Sequence, residues 1–305
     1  MPSQRDVKDR ISSVKNIQKI TRAMEMVAAA RLRRAEQRIA ALRPYADALR
    51  RMTRQAAQAA GAEASRLPLL SEHESTTNVG LLLVTGDRGL AGGFNSQIIR
   101  AGVRIAAENS EQGQQTEWYA TGRRGVSSLT FRGNELNGSY TGFADKPSYA
   151  DARSIADDLI TGYVDGQLDR VEIVYNAYIS PLTQEVTRET LLPLSQATIA
   201  TEGPEEGEGM EGSSETSGPR ALVDYEPDPE EILKRLVPDY VEISIYRALV
   251  ESTAGFFGAQ MTAMRSASEN AGEIITDLTL QMNRARQAEI TQEIMEVVAG
   301  AEGLT

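Results

Sequence analysis

Cysteine is absent from these 305 residues, which excludes disulfides, thiolate nucleophiles and Cys-ligated metals. There is a single histidine, His73, in a polar stretch, so a His-based metal site or triad is close to excluded. No run of eighteen apolar residues occurs, so no segment is expected to insert in a membrane by itself. The opening MPSQRDVKDR lacks an apolar core and points away from secretion. Aromatic residues are only 5% of the chain. None interleaves the basic run RLRR at 31–34, as single-strand nucleic-acid binding would want. The same scarcity of Trp and Phe argues against a helix lying on a membrane surface.

Charge is abundant and unevenly placed. The net charge is −11, yet residues 1–60 hold fourteen Lys/Arg against five Asp/Glu. Residues 228–305 hold six Lys/Arg against thirteen Asp/Glu. A basic beginning and an acidic end attract each other, or an acidic partner surface.

Both ends have helical periodicity. From 228 to 299, Ile232, Leu236, Tyr240, Ile243, Val250, Phe257, Met261, Met264, Ile274, Leu278, Met282, Ile290, Ile294 and Val297 recur at steps of three, four and seven. Asp228 and Pro229 suit the N-cap and first helical position. Residues 3–60 predict a second helix, with Ser3 as N-cap and a stripe of Val7, Ile11, Val14, Ile20, Met24, Val27, Ile39, Leu42, Leu49 and Met52. Such helices run to roughly 80 and 110 Å at 1.5 Å per residue, too long for one compact domain. Pairing the two in an antiparallel stalk would bury both stripes. Pro44 and Pro238 are expected to kink or break them. Met24, Met26, Met261, Met264 and Met282 suit an irregular seam.

The middle is different. VGLLLVT at 79–85 predicts a strand buried on both faces. Helices are expected at 96–109, 122–131 and 148–164. Strands are expected at 115–121, 169–179 and 185–194, with 134–143 a weak strand or loop. Alternation of this kind implies a small, largely parallel α/β layer. Residues 202–220 are rich in Gly, Glu and Ser and too polar to fold alone. The expected organisation is a stalk helix at 1–66, a Rossmann-like α/β domain at 78–200, an acidic loop at 201–224 and a second stalk helix at 225–305.

GDRGLAGG at 86–93 follows a strand and precedes a helix, where phosphate loops live. Its first glycine interval is G-x-x-G, not G-x-G, and no Gly-Lys-Ser/Thr follows. A tight turn is the plainer reading, with Asp87 a turn residue and Arg88 a solvated or locally paired charge. A nucleotide-binding α/β enzyme using this loop and a coiled-coil scaffold with a basic nucleic-acid-binding arm remain alternatives. Asp157 and Asp158 read as a solvated helix face. Near the C-terminus, Ile290, Ile294, Met295, Val297 and Val298 spread over roughly 160° of the wheel at 100° per residue, wider than a two-helix seam. That width asks for apolar partner surface on more than one side. Arg284, Arg286 and Gln287 stand just before it.

Five blocks in order complete the reading: KNIQKITRAMEMVAAARLRRAE (15–36), VTGDRGLAGGFN (84–95), YEPDP (225–229), MTAMRSASENA (261–271) and ARQAEITQEIMEVVAGA (285–301). Together they resemble the gamma subunits of rotary ATP synthases. The resemblance implies a coiled-coil rotor shaft that stands inside a hexamer of alpha and beta subunits. It implies an α/β domain resting on the membrane ring of c subunits beside the epsilon subunit, as a peripheral protein on the cytoplasmic face of the cell membrane. The shaft couples ion flow to ATP synthesis or hydrolysis by asymmetric rotation and is itself non-catalytic, with no cofactor or metal and no nucleic-acid partner. By family position Met24, Arg286, Gln287, Thr291 and Glu293 would meet the hexamer. The family often has Cys after Leu90; Ala91 stands there in this chain, so redox sensing at that point is not expected.

Overall fold

The structure is a computed structural model that describes residues 4–73, 75–194 and 228–302. The acidic stretch 202–220 and the Ser3 cap lie outside the described residues. Five α-helices are described: α1 (Gln4–Ala60), α2 (Phe94–Glu111), α3 (Arg123–Phe131), α4 (Tyr149–Val164) and α5 (Pro229–Glu302). Five strands are described: β1 (Asn78–Val84), β2 (Gln115–Thr121), β3 (Leu136–Tyr140), β4 (Arg170–Tyr178) and β5 (Gln184–Leu192). The chain divides into two compact units.

The larger unit comprises Arg33–Gly89 and Gly93–Phe256. Its sheet has the order β3-β2-β1-β4-β5. β1 pairs in parallel with β2 and β4, β2 pairs in parallel with β3, and only β5 runs antiparallel to its neighbour. The central β1 reads NVGLLLV because both faces are covered. Its Leu83 meets α2 so closely that a Cβ on Gly102 would lie 2.6 Å from Leu83 Cδ2. Leu82 and Val84 join the opposite core with Ile155 and Leu159 of α4, Leu49 and Ala56 of α1, and Val237, Val241 and Leu249 of α5. α4 starts in a capping box, Ser148 Oγ accepting from Asp151 N while Asp151 accepts from Ser148 N at 2.8 Å.

The smaller unit comprises Met1–Leu32, Leu90–Gly92 and Phe257–Thr305. In it the two terminal helices pair. Gln18 Nε2 donates to Ser268 O at 3.2 Å, Arg265 Nε lies 2.9 Å from Glu25 Oε1, and the Arg31 guanidinium sits 5.5 Å from the Phe257 ring centre. Numbers fall along α1 as they rise along α5, so the pair is antiparallel. The covered positions follow a seven-residue period on both helices: Val7, Ile11, Val14, Gln18, Thr21, Glu25, Ala28 and Leu32, facing Phe257, Met261, Met264, Ser268, Ala271, Ile275, Leu278, Met282 and Ala285.

Four residues of the expected stripes short of the tip are outside the seam: Ile20 is 59% exposed, Val27 52%, Ile274 48% and, in the larger unit, Met52 52%. Thr21, Ala28, Ser268 and Ala271 take the covered positions instead. Small side chains let two backbones approach; at Gly272 an added Cβ would lie 3.2 Å from Gln18 Nε2. Met26 is likewise exposed, while Met264 is buried.

Neither proline ends its helix. α1 runs through Pro44 and α5 through Pro238. Pro44 and Ala40, whose carbonyl loses its partner, are both exposed, as is Lys234 four residues before Pro238. Water can satisfy the released carbonyls there.

Candidate functional site

The tip of α5 outlasts its partner. Beyond Ala285 every residue to Ala299 is exposed. Among them are Ile290, Ile294, Met295, Val297 and Val298, with Val297 73% and Ile294 57% exposed. On a regular helix their arc is centred roughly 140° from the seam. Five exposed aliphatic residues within nine positions are a surface that water alone does not favour, at about 25 cal/mol per Å² of apolar area.

A second apolar face lies on α1. Ile17, Ile20, Met24 and Val27 follow steps of three and four, centred roughly 110° from the seam. All but the half-covered Met24 are exposed.

The five residues singled out by family position divide between these surfaces. Met24 lies on the α1 face. Gln287 and Thr291 fall within the apolar arc of the tip, and Arg286 and Glu293 on its flank. All four tip residues are exposed. Thr291 Oγ1 donates to Gln287 O at 2.8 Å, so its proton is spent within the helix and its oxygen is left to accept. Because Glu25 sits beside Arg265, Met24 and Arg286 are about twenty residues of helix apart, roughly 30 Å. They are two contact points and not one pocket.

The 86–93 loop is built as a fastening. The Asp87 carboxylate accepts the backbone N–H of Arg123, Gly142 and Ala144 at 3.0–3.1 Å. It thereby caps the start of α3 with a negative charge. Asn95 accepts Gly86 N at 2.8 Å and donates to Arg88 O at 3.1 Å. Thr85 Oγ1 donates to Thr121 O at 2.7 Å and accepts Gly125 N at 2.8 Å. The adjoining cavity, lined in part by Gly86, Phe94 and Phe256, measures only about 10 Å³, space for no more than a water. A nucleotide phosphate has no cradle here. Reading Asp87 as a turn residue missed its role; the only hint in the sequence was an acid between two glycines after a buried strand.

Two other polar groups are structural. His73 Nδ1 lies 2.9 Å from Asp169 Oδ1 with its ring stacked on Tyr163, while Asp169 Oδ2 accepts Thr77 N and Asn78 N at 2.8 Å. Burial raises the Asp169 pKa, but the hydrogen bonds from Asn78, His73 and Thr77 outweigh it and hold the carboxyl below its ordinary value. Asp158, expected on a solvated face, accepts the Tyr140 hydroxyl at 2.6 Å. Among the described residues no cluster of three or more His, Asp or Glu could hold a metal.

A heptad helix pair and a doubly wound sheet, with apolar surface left over where the pair ends, define a stalk protein that works by contact with partners. The family model described as ATP synthase matches residues 3–304. The ATP synthase gamma chain of Rubrobacter xylanophilus is 44% identical over 304 residues, covering 100% of this chain and 99% of its own. That of Streptomyces avermitilis is 42% identical over 97% of this chain and 94% of its own. The fold matches the Euglena gracilis mitochondrial ATP synthase (OSCP/F1/c-ring) with a TM-score of 0.67 at 15% identity, over 99% of this chain and 94% of that one. It matches the Tetrahymena thermophila central stalk/c-ring at 0.59 and 23% identity, over 82% and 99%. The chain belongs to the ATP synthase gamma-chain family. It is a non-catalytic rotor subunit of an ATPase complex, and neither the nucleotide-binding enzyme nor the nucleic-acid scaffold is supported.

Proposed function

We propose that this chain couples ion flow to ATP chemistry as a lopsided axle held at two levels. The exposed apolar tip of α5 sits in a sleeve formed by the hexamer of alpha and beta subunits, and Gln287, Thr291, Arg286 and Glu293 meet its loops. Met24, with Ile17, Ile20 and Val27, meets the hexamer lower down. The larger unit rests on the c-subunit ring beside epsilon, at the cytoplasmic face of the membrane. No helix among the described residues is long and apolar enough to cross a membrane, so attachment is peripheral.

One observation supports this most: aliphatic side chains on α5 continue beyond Ala285, the last position that is covered, and they turn away from the seam. A buried seam supplies torsional stiffness, and a two-helix shaft has no three-fold axis. Each catalytic interface therefore meets a different face, which is what shifts their populations. The test is co-purification. The tagged chain should pull down alpha, beta and epsilon in fixed ratio, and an Ile294→Asp/Val297→Asp variant should recover less alpha and beta while keeping epsilon. Equal recovery of all three from both proteins would count against the tip as the contact.

A further inference from the structure

A cavity of about 420 Å³ lies in the larger unit between the middle of α1 and α5. One wall is a single face of α1 at helical spacing: Ile39, Leu42, Arg43, Ala46, Asp47 and Arg50. The other is Arg247 and Glu251, one turn apart on α5. The volume is in the range of small-molecule sites, which join an apolar body surface to a few convergent polar groups.

Its chemistry favours anions. Three guanidiniums line it beside the carboxylates of Asp47 and Glu251, with Arg50 Nη1 4.0 Å from Asp47 Oδ1, and each guanidinium has five N–H donors in a fixed fork, more than one carboxylate can take. Arg247 is oriented by a fixed contact: Nη2 lies 2.6 Å from Glu189 Oε2, and Glu189 Oε1 accepts the Tyr175 hydroxyl at 2.6 Å. The Arg50 side chain is only 16% exposed, so it is held at the wall and does not stray into solvent. Burial raises the pKa of Glu251, which lessens its negative charge as the solution is acidified. Ile39, Leu42 and Ala46 give the cavity an apolar floor that a bare inorganic ion would not use.

We infer that this cavity binds a small phosphate monoester, its phosphoryl group held among Arg43, Arg50 and Arg247 and its organic body lying on Ile39, Leu42 and Ala46. Guanidiniums from two facing helices, Arg43 and Arg50 on α1 and Arg247 on α5, can grip a tetrahedral oxyanion from both sides. The site is separate from the 86–93 loop and from both hexamer-facing surfaces.

Calorimetric titration of the full chain, free of other subunits, tests this with AMP as probe and inorganic phosphate and succinate in parallel. AMP should bind saturably with a Kd below about 1 mM. Phosphate should bind at least about tenfold more weakly, and succinate more weakly still. Arg43→Gln/Arg50→Gln should weaken AMP at least about tenfold by removing charge. Ala46→Leu should weaken it similarly by filling the cavity while every charge stays. Unchanged unfolding transitions would show that both variants fold. Absence of saturation up to about 10 mM AMP, equal binding of phosphate and AMP, or AMP binding untouched by both variants would each overturn the assignment.

Discussion

The two units solve the same problem, burying apolar surface along two long helices, with a different mix of side chains. In the larger one, α1 and α5 give large side chains to a thick core: Leu49, Leu233, Val237, Val241 and Leu249 lie with Leu82, Ile155 and Ile173. In the smaller one the covered positions include Thr21, Ala28, Ser268 and Ala271, and the bulky Ile17, Ile20, Val27 and Ile274 stay outside. A part that must be thin, stiff and greasy on its outer surface is built this way. The large core holds the protein together, while the slim pair is shaped for others to grasp.

The comparison can be broken first where most is buried. Leu82→Ala leaves a hole in the central strand and should cost about 3 kcal/mol in denaturant unfolding. An effect under about 1 kcal/mol would mean that this core is looser than its packing implies. In the slim pair the sensitive change runs the other way. Ala271→Leu overfills a close approach and should cost about 2 kcal/mol, read as lost helicity by circular dichroism; a gain in stability would refute small-residue packing there.

Acid sharpens the contrast from the larger unit's side. Asp169 has a folded pKa held below its ordinary value, so its contribution is fully present above that ordinary value. It is lost as pH falls through the folded pKa. Asp169→Asn should flatten the acid limb of the stability–pH curve, and an unchanged limb would exclude the His73–Asp169–Asn78 cluster as its source. The smallest effect is expected at Thr21, whose hydroxyl donates only to Gln18 O at 3.1 Å on the same helix. Thr21→Val should change stability by no more than about 0.5 kcal/mol.

The sheet was legible because its signals are local and redundant. A continuous apolar run announced β1, and the helix expected at 148–164 is α4. The weak segment at 134–143 resolved into β3 only through its parallel pairing with β2, a partner that no local pattern reveals. The stalk was legible as two helices and in part as a seam, since Val7, Ile11, Val14, Met261, Met264, Leu278 and Met282 are covered as expected. Counting large apolar residues put Ile20, Val27 and Ile274 inward, whereas the heptad that lies inward is written partly in Ala, Ser, Thr and Gln. Neither proline breaks its helix, since a helix whose freed carbonyls face water can pass through it. At the tip the sequence was informative because breadth of the apolar arc, not its presence, was the signal. Asp87 was opaque, because its three backbone donors come from residues 36 to 57 positions away.

The central claim is that apolar surface outside the seam serves the rotor's housing and not the chain's own fold. ATP-driven ion pumping by the assembled synthase, measured beside thermal unfolding of the chain alone, tests it with Ile20→Asp, Ile294→Asp and Val297→Asp combined. The account predicts that pumping per ATP hydrolysed falls at least about tenfold while the unfolding free energy stays within about 1 kcal/mol. Full pumping by that variant, or a chain that no longer folds, would contradict it.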